Sequence, residues 1–273
     1  MAKIISITNQ KGGVGKTVTS SCLGVALAEL NKKVLIIDFD PQGSLTKSFG
    51  YRDSNSYEYS LKNALLCEMN DNSMQWNDCI IHTDEKIDLI PSNISLAGIE
   101  AQLTNVMSRE TVFKRVLENF KDDYDFILID CNPSLNQFTI NALTACDTVI
   151  IPVQAEPFAT DGLNDLLQTI QRTKRQLNPQ LEIDGILMTM IDIRTKLSKH
   201  ICNEVRSKYS NHIHVFKNEI KRCVDTAEAP LDGESPMLYS PNSESSIAYR
   251  KLAKEVLSLN DKTISRDKHR LTR

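Results

Sequence analysis

Residues 9–17 read Asn-Gln-Lys-Gly-Gly-Val-Gly-Lys-Thr and follow directly on a short apolar run, Ile4–Ile7. A buried strand that enters a glycine-rich turn and then a helix is the arrangement that cradles phosphate. Gly12, Gly13 and Gly15 let the backbone turn tightly, so that successive N–H groups point at phosphate oxygens. Leu23, Ala26, Leu27 and Leu30 recur at helical spacing, so a helix is expected from near Lys16. Its positive N-terminal end adds to the anion site. Gly12, Gly13, Val14, Gly15, Lys16, Thr17 and Val18 are therefore the expected ATP-contacting run. Lys16 is placed to reach the β- and γ-phosphates, and the Thr17 hydroxyl to ligate Mg²⁺. In the ordinary G-x-x-x-x-G-K-[ST] pattern the first glycine would fall on Gln10, and here Lys11 adds a second cation. Lys11 is either an exposed loop lysine without a role or a second phosphate contact.

The remaining apolar runs set the fold. Val34–Ile37, Ile87–Ile90, Phe126–Ile129, Val149–Val153 and Ile183–Met190 are short and continuous, as strands buried on both faces are. Between them lie helical patterns, such as Leu163, Leu166, Leu167, Ile170 and Leu177 on one face with Arg172, Lys174 and Arg175 off it. The alternation predicts an α/β fold: a single P-loop domain with a mainly parallel twisted sheet flanked by helices on both faces. The domain is expected over residues 1–260, with a basic tail over 261–273. Ligands of such sheets sit beyond the carboxyl ends of the strands. Residues Tyr51–Thr83 are polar and poorly periodic, and are expected to form an irregular excursion with short helices.

Three aspartates end strands beside the phosphate loop: Asp38, Asp40 and Asp130. Two such carboxylates hold Mg²⁺ through its water shell, and a third orients the attacking water in phosphoryl transfer. Singly, each would more often be a helix cap.

The formal net charge is −3, so composition alone does not point to nucleic acid, and any DNA contact must come from a local patch. The seven cysteines are scattered without C-x-x-C spacing, which argues against zinc, iron–sulfur and thioredoxin-like chemistry and for a reducing cytoplasm. Neither a signal-peptide pattern nor an apolar stretch of membrane-spanning length is present. His212 and His214 alternate like strand neighbours but lack a third ligand, so they are read as polar surface.

Asn9–Thr17, Val34–Gly43 (VLIIDFDPQG), Phe126–Leu135 (FILIDCNPSL), Ile151–Glu156 (IPVQAE), Glu228–Pro230 (EAP) and Leu252–Leu257 (LAKEVL) together resemble the deviant-Walker ParA/Soj partition ATPases, with MinD a more distant relative. The segments occur in order and span nearly the whole chain. The resemblance implies an ATP- and Mg²⁺-dependent ATPase that forms a nucleotide-sandwich homodimer. Lys11 would cross to the phosphates of the partner's ATP, Asp40 would organise the attacking water, and Asp38 and Asp130 would stand on the magnesium side. Pro152, Gln154 and Glu156 would face the nucleotide and the dimer seam. It also implies a ParB-like DNA-bound adaptor, nonspecific binding of double-stranded DNA, and a plasmid, chromosome region or mobile element as cargo.

Three departures stand out. Asn132 replaces the proline usual before Pro133, and the Pro-Arg-Asn segment near adenine is matched to Phe216-Lys217-Asn218, which makes Phe216 a candidate base contact. Relatives carry arginines in a Tyr-Asp-Pro-Arg-Ser-Arg-Gly-type segment used on DNA. Tyr239–Ser245 instead reads Tyr-Ser-Pro-Asn-Ser-Glu-Ser, with Asn242 and Glu244 at those places. The DNA contact is therefore assigned to Arg250, Lys251 and Lys254 on the last helix, assisted by Arg172, Lys174 and Arg175. A MinD-like membrane-surface protein would want a broad apolar face near the C-terminus, where Asp261–Arg273 offers only Ile264 and Leu271, so membrane binding is not expected. A positioning or regulatory ATPase without DNA binding is the other alternative.

Overall fold

A computed structural model of the chain describes residues 1–53, 56–157 and 159–271. Its strands are β1 (Lys3–Ile7), β2 (Val34–Phe39), β3 (Ile81–His82), β4 (Asp88–Ile90), β5 (Phe126–Cys131), β6 (Thr148–Gln154) and β7 (Glu182–Thr189). Among the described residues they form one seven-stranded sheet in the order β3-β4-β2-β5-β1-β6-β7. Every pairing is parallel except β3 with β4 at the edge. β3 is the strand that the apolar pattern does not announce, since its two residues make a half-exposed edge.

The helices are α1 (Lys16–Glu29), α2 (Ser44–Ser48), α3 (Leu61–Met69), α4 (Ala97–Leu103), α5 (Val112–Leu117), α6 (Gln137–Ala145), α7 (Ala159–Gln176), α8 (Lys196–Tyr209), α9 (Asp225–Asp232), α10 (Pro236–Tyr239) and α11 (Glu244–Leu271). Every residue of β2 and β5 is buried, and their side chains alternate between two cores. Leu35, Ile37, Ile127 and Ile129 meet Phe113 of α5 and Phe138 of α6 on one face. Ile36 and Leu128 meet Leu23 and Leu27 of α1 with Leu252 and Val256 of α11 on the other. Full burial of each such aliphatic side chain contributes about 1.5–3 kcal/mol. α1 lies close on the sheet because residue 24 is glycine: a Cβ there would stand 2.3 Å from Ile36 Cδ1.

The excursion after Tyr51 contains α3 and a 3₁₀ turn at Trp76–Cys79. Trp76 packs edge-on against Phe120, ring centroids 6.1 Å apart, so it serves the core. α11 continues without a break to Leu271, so the segment set apart as a tail prolongs the last helix. The tail cations Arg266, Lys268, His269, Arg270 and Arg273 have side chains outside the described residues.

Candidate functional site: a phosphate cradle with two lysines

Because β1, β2, β5, β6 and β7 run parallel, their carboxyl ends deliver the glycine loop, Asp38, Asp130, Gln154 and Thr189 to one edge of the sheet. The loop is pinned on both sides. Asn9 Nδ2 donates to the Pro152 carbonyl at 2.7 Å while Asn9 Oδ1 accepts from Lys11 N–H at 3.0 Å. Thr189 Oγ1 donates to the Val14 carbonyl at 2.8 Å. Gly13 (φ 73°) and Gly15 (φ 86°) adopt the left-handed region that favours glycine. A Cβ on Gly13 would meet nothing within 4 Å, and one on Gly12 only Pro133 Cβ at 3.9 Å. The protein leaves the space beside these two residues open, next to the N-terminus of α1. That is the shape a polyphosphate fits.

The two lysines are disposed oppositely. Lys16 is buried, and its Nζ donates to the Lys11 carbonyl at 3.1 Å, inside its own loop. Burial lowers its pKa, while Asp130, Cys131 and Asp40 pull it back up. Lys11 is exposed, with Nζ 3.2 Å from Glu156 Oε2, and Gln154 Nε2 donates to Glu156 Oε1 at 2.6 Å. Lys11 thus points out of the cradle and Lys16 into it.

The aspartates are brought together, with different occupations. Asp38 and Asp130 are register partners on adjacent strands, and both are buried. Asp130 accepts from Thr17 Oγ1 at 2.8 Å and from Ser20 Oγ at 3.0 Å. Its pKa is raised, first by burial and then by Asp38. Asp38 is pushed up to about 6 by burial, against hydrogen bonds from Thr46 N–H (2.8 Å), Thr46 Oγ1 (2.7 Å) and Asp40 N–H (3.2 Å). Two buried carboxylates in register, one sharing a hydroxyl with the phosphate loop, fit a divalent cation that would relieve their mutual repulsion. Thr17 and Asp130 are the pair best placed for it. Asp38 is largely committed to α2, through Thr46, whose Oγ1 also accepts from Ser92 N–H at 2.9 Å. Asp40 is half-buried and accepts from Gln42 N–H at 2.9 Å.

Ser20 and Thr46 join the site without being announced by any motif. Ser20 carries one usable signal, since it lies one helical turn after Lys16 on the loop side of α1. Asn132 turns toward α6, where its Oδ1 accepts from Thr139 Oγ1 at 3.2 Å and its Nδ2 donates to Ser134 Oγ at 3.0 Å.

Two expected contacts need correction. Phe216 is fully buried in the α1–α11 core, its N–H bonded to the Ile186 carbonyl in the middle of β7, so its ring offers no face to a base. The stretch that runs beside the carboxyl end of β7 is Ile220–Arg222, where Ile220 N–H reaches the Met188 carbonyl and Arg222 N–H the Ile191 carbonyl. Arg250 is likewise not free for a ligand. Its guanidinium forms a two-point pair with Glu29, at 2.6 and 2.7 Å, and also donates to the Pro241 carbonyl. Lys251 and Lys254 are exposed and line a groove of about 440 Å³ with Lys217, Asn218, His214 and Glu255. Arg172, Lys174 and Arg175 are exposed on α7 and line a second groove of about 490 Å³ with Gln168 and Gln171.

A family model described as an AAA domain matches residues 2–183. Among curated proteins, the chain is 45% identical to the sporulation initiation inhibitor protein Soj of Bacillus subtilis over 94% of its own length and 98% of that protein. It is 38% identical to the chromosome partitioning protein ParA of Caulobacter vibrioides over 94% of each. Among solved structures, one from Mycobacterium smegmatis described as cobyrinic acid a,c-diamide synthase with bound ATP analogue and magnesium is 36% identical. It superposes with a TM-score of 0.81 over 94% of this chain and 95% of that one.

Proposed function

The chain belongs to the ParA/Soj family of P-loop ATPases, and we propose that it acts as a partition ATPase: an ATP- and Mg²⁺-dependent homodimer that binds DNA without sequence preference and is stimulated by a DNA-bound, ParB-like adaptor. The observation that carries this reading is the opposed placement of the two loop lysines. Lys16 turns inward on its own phosphate cradle, whereas the Lys11 side chain stands at the surface in a half-exposed pair with Glu156 that is worth about 0–1 kcal/mol. A second subunit docked on this edge would receive Lys11 on its nucleotide at little cost in broken contacts.

Within one subunit, the loop N–H groups and Lys16 would hold the β- and γ-phosphates, and Thr17 with Asp130 would hold Mg²⁺. The bound cation would supply charge neutralisation at the phosphates. Asp40, half-buried and accepting from Gln42 N–H, would orient the attacking water. The M. smegmatis neighbour with an ATP analogue and magnesium supports the same ligands here. Light scattering with ADP and with ATP tests the dimer, and co-sedimentation with duplex DNA in the same two states tests the DNA step. A mass that stays monomeric with ATP would reject the reading.

A positioning ATPase without DNA binding is the second reading. Asn242 and Glu244 in place of arginines, and the commitment of Arg250 to Glu29, favour it. Membrane insertion has no support: among the described residues, no helix is long and apolar enough to cross a bilayer.

A further inference from the structure

α9 and α10 present a surface of unusual composition. Val224, Glu228 and Leu231 fall at i, i+4 and i+7 along α9, hence on one face. Val224 and Leu231 are 69% and 71% exposed, and Leu238 and Tyr239 of α10 are 49% and 37% exposed. Tyr239 Oη donates to Glu228 Oε2 at 3.4 Å, which links the two helices. Three carboxylates, Glu228, Asp232 and Asp225, lie near Tyr239. Glu228 first, then partial desolvation, Asp232 and Asp225, raise the pKa of the Tyr239 phenol. Of the cations beside α9, Lys221 pairs with Glu244 at 3.1 Å, Arg52 donates to the Pro230 and Leu231 carbonyls at the end of the helix, and Arg222 is exposed.

The surface is also rigidly backed. A Cβ on Gly233, in the left-handed region at φ 77°, would stand 2.7 Å from Gly50 Cα, so the end of α9 rests directly on the chain after α2. Ser235 N–H donates to Glu85 Oε1 at 2.8 Å and fixes the start of α10. Solvent-facing leucines on a fixed framework lose little entropy when covered.

We propose that the α9–α10 face docks a basic amphipathic segment of a partner protein, its apolar side on Val224, Leu231, Leu238 and Tyr239 and its lysines or arginines on the carboxylates near Tyr239. Charge complementarity selects this occupant. Duplex DNA would meet repulsion from the acids, and a second copy of the same face would oppose like charge to like. Docking here requires neither ATP turnover nor dimerisation.

The test uses the full chain and a fluorescent synthetic Leu/Lys amphipathic helix carrying a photo-crosslinker, with a Leu/Glu helix of the same pattern as control. The Leu/Lys helix should bind and label α9 and α10. Leu231→Ser with Leu238→Ser, and separately Glu228→Gln with Asp232→Asn, should each weaken binding by about tenfold or more. Ile94→Ser with Met107→Ser, which changes exposed apolar residues elsewhere, should not. Equal binding of the Leu/Glu helix, labelling elsewhere, or equal weakening in the Ile94/Met107 variant would overturn the proposal. So would a fall in self-association or in duplex DNA binding caused by the Leu231/Leu238 variant, which would assign the face to another copy or to DNA.

Discussion

Thr17 Oγ1 donates to Asp130 Oδ2 across 2.8 Å and so ties the first turn of α1 to the end of β5. The same carboxylate takes Ser20 Oγ, and its register partner is Asp38. Two buried acids thus share a site with one buried lysine: burial raises the pKa of both, with Asp38 adding to the rise at Asp130 and Asp40 to that at Asp38.

Asp130→Asn should therefore stabilise the nucleotide-free protein while weakening its Mg²⁺-dependent binding of ATP. An acid whose folded pKa lies above its unfolded value contributes stability that is complete below the unfolded pKa and lost as pH rises through the folded one. The gain from the amide should be absent near pH 4 and grow above it, to about 1–3 kcal/mol at neutral pH. Thermal melts across pH without nucleotide would check this. A gain that shrinks with rising pH would show that the carboxylate is not the strained group.

Lys16→Ala and Lys11→Ala should separate. The first removes the inward cation and should weaken ATP binding by about two orders of magnitude, the loss of one or two charge-assisted contacts at about 1.5–3 kcal/mol each. The second should leave ATP affinity near wild type, cost at most about 1 kcal/mol in stability, and block the ATP-dependent dimer. Calorimetry and light scattering on both variants decide it. ATP-dependent dimers of Lys11→Ala at wild-type strength would reduce Lys11 to a loop lysine.

Asp40→Ala should bind ATP and dimerise but turn over slowly, by about 10²-fold or more, because the phosphate cradle does not include it. The ATP dimer should outlive that of the wild type. Decay of the variant dimer at the wild-type rate would move the water-positioning role to another residue.

Arg250 and the two lysines beyond it should behave differently on substitution. Arg250→Ala breaks a two-point pair with Glu29 and a hydrogen bond to the Pro241 carbonyl, so it should cost stability, about 1 kcal/mol. Lys251→Ala with Lys254→Ala should leave the melt unchanged. If the ATP dimer holds DNA there, the double variant should flatten the log–log salt dependence by about 0.9 for each phosphate left without its cation. Unchanged DNA affinity would shift the DNA site to α7, where Arg172, Lys174 and Arg175 stand exposed.

Local pattern in the chain exposes what local pattern controls. Strands such as β2 and β5 are legible because residues buried on both faces form unbroken apolar runs, and the phosphate loop is legible because its chemistry occupies nine consecutive residues. Pairings across the chain are not. Nothing local to Arg250 tells that Glu29 waits 221 residues earlier, and nothing in Asp38 tells that the hydroxyl of Thr46 will occupy it. The place of Phe216 is hidden for a related reason: the chain between α8 and α9 runs along the sheet without regular periodicity, so its register against β7 is set by backbone hydrogen bonds.

The packing of Tyr249 has a consequence for biosynthesis. Its ring is buried against α1, where Oη meets Thr19 Oγ1 at 3.1 Å, and these two residues are 230 positions apart. The helix that begins in the phosphate loop therefore leaves the ribosome long before the helix that covers its outer face. At about 5–20 residues per second, α1 waits roughly 10–50 s for α11. During that interval Leu23 and Leu27 of α1 lack their cover, so full competence to bind nucleotide should appear late in synthesis. A nascent chain stalled before Tyr249 would be a substrate for chaperones before it could be a receptor for ATP.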